Sequence, residues 1–133
     1  MRRRIVFDAG ALALYFAGDG RVKRHFDDVL SGTRDGYVCE VNLAEFYYKT
    51  AERLGLETAE AWCLMVRRSE IRVTPPDGET TPIAARLKLK HGRALSLADC
   101  YAIALAKATR ASLLTTDPRI EEAREVPTVY IKV

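Results

Sequence analysis

Residues 95–117 read LSLADCYAIALAKATRASLLTTD, and this stretch decides the fold. Ser96 followed by Asp99 is a capping-box pattern, a hydroxyl N-cap with an acid three residues on. It opens an apolar helix that runs to about Thr109. Ser112-Leu113-Leu114-Thr115 then reads as a strand, with no polar alternation to mark a solvated face. A nearly uncharged helix leading into a doubly buried strand is a unit of a parallel α/β sheet. The two ends of the stretch carry carboxylates, Asp99 and Asp117. A carboxylate beside so much apolar surface is costly unless a cation or hydrogen-bond donors compensate it.

Outward from there, the same alternation recurs. Arg4-Ile5-Val6-Phe7-Asp8 is a buried strand ending in an acid, and a short helix follows from Ala9 to Ala17. After the Gly18-Asp19-Gly20 break, residues 21–30 form an amphipathic helix with Val22, Phe26, Val29 and Leu30 inward. Tyr37-Val38-Cys39 is the second strand, extending as far as Val41. Asn42-Leu43-Ala44-Glu45 repeats the capping box and opens a helix that ends near Leu54, before Gly55. The next helix, 57–69, is expected to bury Ala61, Leu64 and Met65. Ile71-Arg72-Val73 is a short strand and Pro75-Pro76-Asp77-Gly78 a turn. Thr80 or Thr81 caps a helix with Pro82 in its first turn, and Gly92 stops it after His91. A short helix from Pro118 and a last strand, 128–131, complete the pattern. The expected fold is an α/β/α sandwich around a mainly parallel sheet of four to five strands, one domain over residues 1–133.

The 133 residues carry a formal net charge of +3, which permits a nucleic-acid partner without demanding one. The apolar run behind Arg2-Arg3-Arg4 is three residues long, too short for a signal peptide, so the expected location is the cytoplasm. Cys39, Cys63 and Cys100 form no CxxC pair, and they read as small buried hydrophobes rather than zinc ligands or a disulfide framework.

Four acids stand at corresponding places. Asp8 and Asp117 end strands; Glu45 and Asp99 lie in the first turns of helices. Sites on open α/β sheets form beyond the carboxyl ends of the strands, so all four are expected at one rim. Four gathered carboxylates repel one another, and a hard divalent cation relieves that repulsion. Oxygen ligands without His or Cys point to Mg²⁺ or Mn²⁺ rather than zinc. Each acid alone also has a structural reading. Asp99 and Glu45 serve as capping-box acids, and Asp117 before Pro118 serves as an N-cap.

Four motifs, Ile5-Val6-Phe7-Asp8, Asn42-Leu43-Ala44-Glu45, Leu95-Ser96-Leu97-Ala98-Asp99 and Leu113-Leu114-Thr115-Thr116-Asp117, resemble in order and spacing those of PIN domains. In size the chain looks like the VapC toxins of prokaryotic toxin–antitoxin pairs. The resemblance implies an α/β/α sandwich and a Mg²⁺- or Mn²⁺-dependent endoribonuclease. Asp8, Asp99 and Asp117 would bind metal, and Glu45 would bind metal or hold the attacking water. Thr115 or Thr116 would line the site, with Ser96 supporting Asp99. The implied partners are an RNA substrate, a small antitoxin protein and a second copy of the chain in a homodimer or higher homo-oligomer. Relatives often carry Ser or Thr just after the first acid, where this chain has Ala9-Gly10, and Asn before the fourth, where it has Thr116.

Other residues admit two readings. His91, near Lys88, Lys90 and Arg93, is a solvated helix end or a grip on RNA phosphates. Phe46, Tyr47 and Tyr48 pack or stack on bases, and at that spacing at least one must be core. Leu12, Tyr15, Phe16, Trp62 and Met65 are core or an apolar partner surface. Two other functions have partial support in the sequence. A non-catalytic PIN-like module binding RNA or protein would use its acids only as caps. A phosphoacceptor or haloacid-dehalogenase-type domain lacks its required second acid, since Gly10 stands two residues after Asp8.

Overall fold

The computed structural model describes residues 2–133. The elements in chain order are β1 (Arg4–Phe7), α1 (Ala9–Phe16), α2 (Gly20–Leu30), β2 (Asp35–Cys39), α3 (Glu40–Leu54), α4 (Leu56–Arg68), β3 (Arg72–Thr74), α5 (Thr80–His91), α6 (Leu97–Thr109), β4 (Ser112–Thr115), α7 (Pro118–Ala123) and β5 (Thr128–Tyr130). A 3₁₀ turn, Gly92–Ala94, joins α5 to the cap of α6. Among the described residues the five strands form one all-parallel sheet in the order β3-β2-β1-β4-β5. The α/β/α sandwich expected from the alternation is the fold.

The central strands are buried on both faces, which is why they show no polar alternation. Ile5, Phe7, Val38 and Leu114 point into a core closed by α1, α2, α3 and α4. Val6, Tyr37, Cys39 and Leu113 point into a second core closed by α5, α6 and α7. The first core is aromatic. Phe26 of α2 lies between Phe7 and Tyr15, with ring centroids 4.1 and 4.2 Å away. Phe16 stacks on Trp62 at 4.9 Å. The three cysteines are free and buried, as expected of small hydrophobes.

Helix α2 approaches β2 so closely that there is no room for a side chain at Gly36. A Cβ there would stand 2.6 and 2.7 Å from the two Val29 methyls and 3.2 Å from Phe7. Val29 is branched at Cβ and cannot swing clear easily. Gly36→Ala is therefore expected to destabilise the protein by about 1–3 kcal/mol of overpacking. Urea unfolding measures this, and an unchanged midpoint would refute the close approach.

Several expectations are corrected. Strand β2 does not reach Val41: Cys39 is the N-cap of α3, which starts at Glu40. Asn42 is therefore inside the first turn and Glu45 in the second, so the Asn42–Glu45 pair is no capping box. A sequence match to a box is local, and it cannot register that the strand runs straight into the helix. Asp77, not Thr80 or Thr81, gathers the start of α5; its carboxylate accepts from the backbone N–H of Glu79 and Thr80 and from the Thr80 hydroxyl.

Helix α4 is rotated from the expected orientation. It buries Ala59, Cys63 and Val66, while Leu64 is 45% and Met65 57% exposed, and Ala61 faces out. The inward face is the one with smaller side chains, which lets α4 lie close to α3. Leu30 of α2 is also partly exposed, at 39%, unlike Val22, Phe26 and Val29. Of the remaining open readings, Leu12 and Phe46 are core, and Tyr15, Phe16, Tyr47 and Trp62 pack partly buried against it. Tyr48 is exposed. His91 is not a solvated helix end: its Nε2 lies 2.7 Å from Glu125, which Lys90 and Lys107 also bind at 2.8 and 3.1 Å. Hydrogen bonds from Lys90 and His91, with Lys107 adding a hydrogen bond and its charge, hold the Glu125 carboxyl down to about 2.

Candidate active site

The sheet reverses its order of growth at β1. The next strand, β2, lies on one side of it and β4 on the other, so the carboxyl ends of β1 and β4 form a topological switch point where ligands bind in such sheets. Asp8 follows β1 and Asp117 follows β4. All four predicted acids, Asp8, Glu45, Asp99 and Asp117, line one cavity of about 400 Å³ at this rim. Gly10, Lys49, Arg53, Trp62 and Thr116 line it as well.

Asp8 is 6% exposed and is the N-cap of α1. One carboxylate oxygen accepts from the Ala11 N–H at 2.8 Å, the other from the Thr115 hydroxyl. Burial pushes its carboxyl up to about 6. The Thr115 and Ala11 hydrogen bonds oppose the rise, and the charges of Asp99 and Glu45 add to it. Thr115, itself fully buried, also accepts from the Asp117 N–H at 3.0 Å, so one hydroxyl ties the first acid to the last.

Asp117 is the N-cap of α7 and accepts from Arg119, from the backbone N–H at 2.9 Å and from Nε at 3.4 Å. Asp99 completes the expected capping box. Its Oδ2 accepts from the Ser96 N–H at 2.9 Å, and its own N–H donates to Ser96 Oγ at 3.1 Å. Glu45 caps nothing. Its Oε2 lies 3.2 Å from Lys49 Nζ, one turn further along α3.

Thr116 occupies the space over the first turn of α1 that a side chain at residue 10 would fill. A Cβ on Gly10 would collide with the Thr116 hydroxyl. Where Ala9-Gly10 offers no hydroxyl beside Asp8, the Thr116 hydroxyl approaches from the carboxyl end of the neighbouring parallel strand β4.

As the side chains stand, no three His, Cys, Asp or Glu among the described residues are spaced to hold one ion together. The structure brings the four acids to one cavity, with three of them serving as caps and one paired to a lysine.

Two contributors were not legible as such in the sequence. Asn42 is 1% exposed, and its amide donates to the Ala98 carbonyl at 3.1 Å. It fastens α3, which carries Glu45, to the first turn of α6, which carries Asp99. Its Oδ1 is buried without a partner. The other is Lys49, although Glu45, Lys49 and Arg53 at helical i, i+4, i+8 spacing put all three on one face.

A second cavity, of about 440 Å³, lies between α3 and α4. Its acids are already partnered, Glu40 by Arg67 at 2.7 Å and Glu60 by the Tyr47 hydroxyl at 3.1 Å, so it offers no free acid.

A family model described as PIN domain matches residues 5–126. No curated protein matches the chain significantly. Among solved structures, VapBC2 of Rickettsia felis bound to a promoter DNA fragment superposes with a TM-score of 0.76 at 11% identity, over 96% of this chain and 98% of that one. VapBC of Salmonella typhimurium bound to DNA gives 0.75 at 15% identity, over 98% of each chain. VapC20 of Mycobacterium tuberculosis, described as a toxin that cleaves the sarcin–ricin loop, gives 0.74 at 21% identity, over 90% of this chain and 95% of that one.

Proposed function

The chain belongs to the PIN domain family, and from that membership we propose that it is a metal-dependent endoribonuclease, the toxin of a toxin–antitoxin pair. The observation that carries the reading is the meeting of Asp8, Glu45, Asp99 and Asp117, from four distant segments, around one cavity.

The donor set fits Mg²⁺ or Mn²⁺. It consists of carboxylates, with no His or Cys lining the cavity. The raised carboxyl of Asp8 is the condition that a divalent cation relieves. Asp8, Asp99 and Asp117 would hold the ion. When bound, it would polarise a phosphoryl oxygen and acidify a water. Glu45 would join the ion or orient the attacking water, accepting its hydrogen bond. Thr115 fixes the Asp8 carboxylate, and Ser96 fixes the turn that presents Asp99.

The sarcin–ricin loop cleavage of VapC20 supports an RNA substrate, and the VapBC complexes support an antitoxin partner. A groove of about 150 Å³ bordered by Tyr15, Phe16, Phe26, Leu30, Met65 and Ile71 offers an apolar seat for a segment of that antitoxin. Residues 1–133 would act as one domain, in the cytoplasm, as a homodimer or higher homo-oligomer. No helix among the described residues is long and apolar enough to cross a membrane.

The test is cleavage of a labelled RNA by the purified protein with Mn²⁺ or with excess EDTA. The ion's share of transition-state stabilisation is several kcal/mol, so chelation is expected to slow cleavage about a thousandfold. Equal cleavage in EDTA refutes the metal role. The capping bonds of Asp8, Asp99 and Asp117 favour a second reading, a non-catalytic module whose acids are structural. A folded protein that binds no Mn²⁺ at about millimolar concentration, far weaker than a working site, would establish that reading instead.

A further inference from the structure

We propose that Lys49 is the resident counter-cation of the acidic cavity: it holds Glu45 until a divalent ion displaces it, and then contacts an RNA phosphate. The inference rests on the metal-dependent ribonuclease reading.

Lys49 stands one turn after Glu45 on α3 and lines the same cavity as Asp8, Asp99 and Asp117. Its Nζ lies 3.2 Å from Glu45 Oε2.

An ordinary helical ion pair on this protein looks different. Lys23 and Asp27 on α2 have the same i, i+4 spacing, yet both side chains are exposed and neither lines the cavity. Glu45 is by contrast only 22% exposed at its side chain, while Lys49 is 58% exposed. The carboxylate is fixed inside the rim and the ammonium, on a flexible four-carbon stem, is free to leave.

If the Glu45 carboxylate took a divalent ion, Lys49 would be released as an exposed positive charge beside the cavity, available to a phosphate of the RNA. A lysine there meets a phosphate as a point charge. Arg53, one turn further on, extends the basic edge in the same direction.

The experiment titrates the full-length protein with Mn²⁺ alone, comparing wild type, Lys49→Met, Lys49→Arg and Lys23→Met at low ionic strength. Lys49→Met is expected to bind Mn²⁺ about three- to fivefold more tightly, the size of a partly exposed ion pair. The advantage should shrink as salt screens the lysine. Lys49→Arg and Lys23→Met should stay within about twofold of wild type. In saturating Mn²⁺, Lys49→Met should raise KM for RNA about threefold or more and leave kcat unchanged, since a phosphate contact is uniform binding. Unchanged or weaker Mn²⁺ binding by Lys49→Met, with wild type binding normally, overturns this inference and leaves the ribonuclease reading standing. A loss in kcat rather than KM overturns the phosphate contact. Absence of Mn²⁺ binding in wild type overturns both readings.

Discussion

Asp8→Asn is expected to reduce metal-dependent RNA cleavage about a thousandfold or more and, at the same time, to stabilise the metal-free protein. The first effect follows from removing a charged ligand whose ion supplies several kcal/mol of transition-state stabilisation. The second follows from the state of Asp8 without metal. Its carboxyl titrates at about 6 in the folded chain, against 3.8 for the free group. The folded state thus holds this proton more tightly than the unfolded state. Between those two values the folded protein binds more protons, so its stability falls as pH rises, and the loss is complete above about 6. The gap corresponds to about 3 kcal/mol at neutral pH as an upper bound. An asparagine carries no charge to desolvate and can still accept the Ala11 N–H. It cannot accept the Thr115 proton as the second carboxylate oxygen does, so the expected gain is about 1–3 kcal/mol. Urea unfolding in EDTA from pH 4 to 8 measures it. Wild type should weaken toward neutral pH while the variant stays level. A variant that cleaves RNA normally, or that is less stable than wild type at neutral pH without metal, refutes the account.

Phe26→Ala is expected to have the largest effect on stability, a loss of about 3–5 kcal/mol. The ring is fully buried and lies flat between Phe7 and Tyr15, at interplanar angles of 14° and 15°. Those three rings come from α2, β1 and α1, so the stack fastens together the two elements that meet at Asp8. Its removal takes away the apolar area and both aromatic contacts, and the flat space between two rings cannot close without shifting a helix. Against a typical total of about 5–15 kcal/mol, the variant should unfold at much lower urea. A loss below about 1 kcal/mol would mean that α2 collapses onto the sheet freely, contrary to the tight fit at Gly36.

The sequence was most informative where structure depends on neighbours in the chain. Ser96 and Asp99 cap α6 because a capping box closes within four residues, and β4 spans the expected Ser112–Thr115. The acids at the ends of β1 and β4 follow from strand polarity alone. What escaped depends on distant partners. Asn42 carries the lettering of a cap, but Cys39 takes that position and the amide reaches across to Ala98. Helical spacing puts Ala61, Leu64 and Met65 on one face of α4, but spacing cannot say which face turns inward, and Leu64 and Met65 are exposed. Packing against α3 instead selected Ala59, Cys63 and Val66. The Glu45–Lys49 pair was legible as a spacing, yet only the fold shows that it faces the other acids.

On the proposed reading Asp8, Asp99 and Asp117 would each do double duty, and that has a consequence for how this protein can change over generations. Each uses an oxygen to hold a helix start, and an asparagine at the same place presents an oxygen too. A lineage could therefore exchange acids for amides one at a time, lose its chemistry, and still inherit an intact fold and the groove bordered by Leu30 and Met65. If the toxin–antitoxin reading holds, descendants of that kind would persist as silent copies, able to engage the antitoxin without cutting RNA, and so to draw it away from active siblings.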